Sequence, residues 1–148
     1  MPRLLVVNGP NLNLLGQREP EIYGSVSLDD INERLNRLAS GAGIECDFFQ
    51  SNNEGELIDY IQREGYDADG LILNGGALIH YSYALRDAIS AVEIDTVEVH
   101  ISNIYAREEF RHHSVIAPIC IGQISGLGTQ VYELALSYFA DLWSRSES

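Results

Sequence analysis

Short apolar runs alternate with amphipathic segments along this chain, and that alternation limits the fold more than any other feature. Arg3 to Asn8 (RLLVVN) and Gly70 to Asn74 (GLILN) are continuous apolar runs, as expected of strands covered on both faces. Ile44 to Gln50 (IECDFFQ) begins by alternating and reads as an edge strand. Thr96 to Ile101 and Ala117 to Ile124 complete a set of five. Between them lie helical patterns. Leu28, Ile31, Leu35 and Leu38 recur behind a capping-box variant at Ser27 to Asp30. Asn53 with Glu56 opens a helix through Leu57, Ile58 and Ile61 that stops at Gly65. A third helix starts near Ser82 and turns Ala84, Leu85, Ala88 and Ile89 inward. Ala106 to Arg111 reads as a short helix. The last, Thr129 to about Trp143, carries Val131, Leu134, Ala135, Tyr138 and Leu142 on its apolar stripe.

Strand–helix alternation over 148 residues calls for one α/β domain, residues 1–148, with a doubly wound five-stranded parallel sheet. The common strand order is 2-1-3-4-5, which makes strands one, three and four neighbours. Ligands bind at the C-terminal ends of such strands, beside the switch point. Three chemically loaded stretches end up there: Asn8–Asn11, Asn74–His80 and His100–Ser102. Glu98 and His100 are two apart, so they share a face of their strand. The loop from Gly9 to Gly24 is long and carries Asn11, Arg18, Glu19 and Tyr23, which points to a lid.

Charge and composition exclude several functions. The net charge of −13 argues against nucleic acid or an anionic membrane as partner. No apolar run is long enough to span a bilayer, and the opening MPRLLVVNGP lacks a signal-peptide pattern, so a soluble cytoplasmic protein is expected. All nine basic residues are arginine. Without lysine, imine chemistry, a phosphate-loop lysine and a receiver-domain mechanism all fall away. Cys46 and Cys120 lack metal-type spacing, are expected on opposite sheet edges, and read as buried free thiols. No acid cluster stands at ligand spacing from a histidine, and His112-His113 reads as a pair of exposed imidazoles, so no metal site is expected.

What remains is acid–base chemistry on an anionic, polyhydroxylated molecule, with a phosphate or flavin site as the alternative common to this fold. Arginine holds carboxylates, and asparagine and serine position them. A histidine with a carboxylate neighbour shuttles protons. Tyrosine serves as a base only when its pKa falls well below about 10, and Arg18 on the same loop is placed to stabilise tyrosinate at Tyr23.

NGPNLNLLGQREPEIYG, NGGALIHYSYALRDA and EVHISNIYAREEFRHHS together resemble the type II 3-dehydroquinate dehydratases, and the match covers nearly the whole chain. The resemblance implies a flavodoxin-like fold and a lyase of the shikimate pathway. That lyase converts 3-dehydroquinate to 3-dehydroshikimate and water by anti elimination through an enolate, with no cofactor and no metal. It implies Tyr23 as the base at C2, with Arg18 lowering its pKa and Asn11 helping to hold the enolate through a water. His100 is then the acid for the C1 hydroxyl, tuned by Glu98. Asn74, Ser102 and the backbone of Ile101 hold the substrate carboxylate. His80 and Arg111 contact ring hydroxyls, and Arg107 helps close the Tyr23 loop. Asp87 reaches a neighbouring subunit's site in a trimer, and four trimers make a homododecamer.

The chain departs from the family at Ile79, where threonine is frequent, and at Tyr81, where a small residue is common; Gly75 and Leu78 vary the same loop. Two rival readings make distinct predictions. A flavin- or nucleotide-binding module predicts a copurifying chromophore and needs no Tyr23. An inactive assembly subunit is disfavoured by the intact Tyr23, His100, Arg18 and Asn11.

Overall fold

The computed structural model describes residues 1–17, 19, 21 and 25–146. Its centre is a parallel sheet of five strands in the order β2-β1-β3-β4-β5. The strands are β1 (Arg3–Asn8), β2 (Glu45–Gln50), β3 (Gly70–Asn74), β4 (Asp95–His100) and β5 (Gly122–Ser125). Among the described residues four α-helices connect or follow them: α1 (Leu28–Gly41), α2 (Glu54–Glu64), α3 (Tyr83–Val92) and α4 (Gln130–Ser146). The expected α/β class and strand order are both observed.

Side-chain alternation divides the core into two layers. Leu4, Val6, Ile72, Val97 and Val99 pack with Ile31, Leu35 and Ala39 of α1 and with Val131, Tyr132, Ala135, Leu136 and Phe139 of α4. Leu5, Val7, Leu71 and Leu73 point the other way, toward Leu57, Tyr60 and Ile61 of α2 and Leu85, Ala88, Ile89 and Val92 of α3. Each fully buried leucine or isoleucine stabilises by about 1.5–3 kcal/mol relative to exposure. Helix starts follow their capping residues. Ser27 and Asp30 make a reciprocal capping box, and the side chains of Asn53 and Ser82 accept from the backbone N–H of Glu56 and Leu85. Among the described residues no helix is long and apolar enough to cross a membrane.

Several expectations are corrected. Ala117 to Ile124 is not one strand: Pro118 sits in a 3-10 turn over Ala117–Ile119, and pairing begins only at Gly122. Ala106 to Arg111 is two 3-10 turns, Ile104–Ala106 and Glu109–Arg111. Leu38 and Ala84 are exposed. The stripe on α4 keeps Val131 and Ala135 but is displaced on one side, so Leu134 and Tyr138 face outward while Tyr132 and Phe139 are fully buried. Cys46 and Cys120 are free thiols, but half-buried rather than buried.

The first half of the long loop after β1 is anchored. Leu12 and Leu15 enter the core beside α1, and Asn11, in the left-handed region at φ 72°, bonds through its N–H to the Asn52 side chain. Gly16 closes the neck of the excursion. Its φ is +89°, and a Cβ there would stand 2.9 Å from the Ser25 carbonyl oxygen. Arg18 and Tyr23, on which the sequence reading of the base rests, and Gly24 at the far end of the expected lid lie outside the described residues.

Candidate active site

The C-terminal ends of β1, β3 and β4 open into one cleft. Asn11, Asn74, His80, His100, Ile101, Ser102, Arg107 and Arg111 line it, with Leu12, Leu14, Leu15 and Ile104 as an apolar wall. The convergence expected from strand order is therefore present for all of these sequence-selected residues. Glu98 lies behind His100 rather than in the cleft, and Asp87 is exposed on α3, outside it.

Backbone proximity forms the cleft floor. Gly9 N–H donates to the Asn74 carbonyl at 2.8 Å, extending the β1–β3 ladder past the strand ends. A Cβ on Gly9 would lie 2.6 Å from the Gly75 carbonyl oxygen, so only glycine lets the two turns touch. Below them, the Tyr132 hydroxyl donates to Asn8 Oδ1 at 2.6 Å and accepts from Asn74 Nδ2 at 3.0 Å. Asn74 Oδ1 in turn accepts from Gly76 N–H at 3.2 Å. Both ends of the Asn74 amide are thus fixed. Burial pushes the Tyr132 phenol well above its ordinary pKa, with the Asn74 hydrogen bond opposing. Tyr132 therefore works as a neutral hydroxyl. Reasoning from sequence missed it, because the apolar stripe of α4 was placed on Leu134 and Tyr138.

His100 Nε2 stands 2.6 Å from Glu98 Oε2. Glu98 is 0% exposed. Its carboxylate also accepts from Ser114 Oγ at 2.7 Å and from Gln123 Nε2 at 2.5 Å. Burial alone would push the Glu98 pKa up; the bond and charge of His100, with the bonds from Ser114 and Gln123, outweigh it and hold the pKa below the usual carboxylate value. The cleft histidine therefore has an ionised carboxylate behind it, the arrangement a proton-transferring imidazole needs.

The far wall carries two arginines. Arg107 donates to Ser102 Oγ at 3.4 Å and pairs with Glu19 of the long loop at 3.9 Å, so it ties cleft to loop. Arg111 pairs with Glu108 at 2.5 Å and lies 4.8 Å over the Phe110 ring. His80 Nδ1 meets the His113 carbonyl at 2.8 Å. Burial lowers the His80 pKa against that bond, which favours a neutral ring donating from Nδ1. No described residue lining the cleft is Asp or Glu. A protein of net charge −13 thus lines this cleft with two arginines and, among the described lining residues, no carboxylate, the partners Glu19 and Glu108 standing outside the lining, which suits an anionic ligand.

The dehydroquinase class II family model matches residues 2–140. The chain belongs to the class II dehydroquinase family. Its relatives within the family include the 3-dehydroquinate dehydratase of Bacillus licheniformis, 57% identical over 94% of this chain and 96% of that protein. Among solved structures, the type II dehydroquinase of Butyrivibrio crossotus superposes with a TM-score of 0.90 at 47% identity, covering 93% of this chain and 96% of that one. The type II dehydroquinase of Propionibacterium acnes gives 0.92 at 42% identity, covering 95% and 97%. The family members cover this chain almost end to end, so sheet, cleft and loops all lie inside the family's domain.

Proposed function

We propose that this protein is a hydro-lyase that dehydrates 3-dehydroquinate to 3-dehydroshikimate as a cytoplasmic enzyme of the shikimate pathway. The observation that carries the reading is a cleft whose described lining holds two arginines, no Asp or Glu, and a histidine backed by a buried glutamate. In this reading Tyr23, as tyrosinate beside Arg18, takes the C2 proton of the substrate. The electrons of the broken C–H bond move into an enolate, which Asn11 helps to hold through a water. The enolate then collapses to the C1–C2 double bond as the C1–O bond breaks on the opposite face. His100, as imidazolium, gives its proton to the departing hydroxyl, which leaves as water. Glu98 stabilises the imidazolium and aims it. Asn74, Ser102 and the backbone of Ile101 bind the substrate carboxylate, His80 and Arg111 bind the ring hydroxyls, and Arg107 holds the loop through Glu19. Asp87 faces outward to serve the site of a neighbouring copy in a trimer, and four trimers form a dodecamer.

The test is ultraviolet absorbance after adding 3-dehydroquinate, with and without borohydride pretreatment. An absorbance rise from the new conjugated double bond, insensitive to borohydride, is expected. Tyr23→Phe should abolish turnover and keep substrate binding; a near wild-type rate would overturn the assignment of the base. A copurifying flavin with no turnover would favour a binding module instead.

A further inference from the structure

We infer that Ser114 and Gln123 are positioning residues for His100, acting through Glu98 to set which ring nitrogen is offered to the cleft. The inference rests on the reading of His100 as the acid. Glu98 occupies the sheet face on which its neighbour in the β3–β4 register is Leu73, and its partner in the β4–β5 register is Gln123. A carboxylate placed there, fully buried, is costly unless all its acceptor sites are used. Ser114 Oγ accepts from the backbone N–H of Ile116 at 3.2 Å and of Ala117 at 3.0 Å. With those lone pairs taken, its one proton goes to Glu98 Oε1, 2.7 Å away. Glu98 Oε2 is shared between Gln123 Nε2 and His100 Nε2.

With Ser114 and Gln123 both donating, the ionised, acceptor-only form of Glu98 is favoured over the acid. Facing that carboxylate, His100 carries a proton on Nε2, and Nδ1 is the nitrogen left for the substrate. Loss of either donor makes the buried carboxylate more basic. Glu98 then takes up a proton from solvent and donates to Nε2, and the ring's own proton sits on Nδ1. That ring is neutral and a far weaker acid than an imidazolium.

The chain has four histidines, so ring nitrogen NMR of the ¹⁵N-histidine-labelled full-length protein is tractable, with His100→Gln giving the assignment. The wild type should show neutral His100 as the Nε2–H tautomer. Ser114→Ala and Gln123→Leu should move that ring toward Nδ1–H. They should lower kcat on the order of ten- to a hundredfold, as loss of a second partner behind a working histidine does, with KM within about twofold. Ser114→Thr, which keeps the hydroxyl, should restore both. An unchanged tautomer with wild-type kcat in the folded Ser114→Ala and Gln123→Leu proteins would overturn the inference. So would equal loss in Ser114→Thr. If the wild type fails to turn over 3-dehydroquinate, the proposed reaction falls, and the tautomer alone decides whether Ser114 and Gln123 set the ring.

Discussion

Tyr132 of α4 and Asn74 at the end of β3, 58 residues apart, are joined by a 3.0 Å hydrogen bond beneath the cleft. The same hydroxyl reaches Asn8 at the end of β1. One buried phenol therefore ties the final helix to the two strands that flank the switch point, at the height where a ligand would sit.

Replacing Tyr132 with phenylalanine keeps the packing and leaves two buried amide groups short of a partner. Unfolding in urea should show a loss of roughly 1–3 kcal/mol. Steady-state kinetics should show a raised KM for 3-dehydroquinate with kcat changed much less, because the Asn74 amide is freed to turn while His100 is untouched. An equal fall in kcat at constant KM would contradict this role.

Gly9→Ala would put a methyl group against the Gly75 carbonyl, backbone against backbone, with no flexible side chain to yield. A loss of about 1–3 kcal/mol is expected, as for other overpacked sites. In a domain of this size that lowers Tm by several degrees, measurable by calorimetry. An unchanged Tm would mean that the two turns separate easily.

Stability should fall in acid partly through Glu98. Its folded pKa lies below its unfolded value, so its contribution is complete above the ordinary carboxylate pKa of about 4.3 and is lost as pH drops through the lowered folded pKa. His80, also lowered, acts in the same direction at higher pH: its contribution is complete above about 6.5 and declines as pH falls through its folded pKa. Urea unfolding from pH 7 to pH 3 should show a shallower acid loss in Glu98→Gln than in the wild type, on a lower starting stability. Identical slopes would remove Glu98 from the account.

Burial pushes both thiols, Cys46 and Cys120, up to about 12. Since the thiolate is the nucleophile, iodoacetamide at pH 7.5 should label neither at an appreciable rate in the folded protein, and both after denaturation. Fast labelling of the native protein would contradict their burial.

Much of the architecture could be read from the chain because its signals are periodic. Continuous apolar runs mark β1 and β3, caps mark the helix starts, and a two-residue spacing puts Glu98 and His100 on one face. The strand order then brings Asn74, His80 and Ser102 to the same cleft. Parts that depend on exact helix rotation or on neutral polar partners were less legible. Tyr132 looks like any aromatic on an amphipathic helix, since a rotation of less than the about 100° between neighbouring residues decides whether Tyr132 or Leu134 flanks the buried Val131 and Ala135. Ser114 and Gln123 carry no charge and fit no motif; only the β4–β5 register puts Gln123 beside Glu98. The apolar run around Pro118 resembles a strand while its backbone turns, so β5 starts later than the apolar run predicts.

The alternation along β4 gives the sheet a proofreading step. Val97 and Val99 enter the layer beneath α1 and α4, while Glu98 and His100 enter the layer that holds Ser114 and Gln123. Sliding β4 by one residue would exchange these sets and drive a carboxylate and an imidazole into a packed apolar layer without their donors. Such a misregistered sheet would be unstable rather than merely inactive. The groups proposed to act on substrate thus also reject the wrong pairing of the strand that carries them, so a stable chain with a misplaced His100 is not an accessible product of folding.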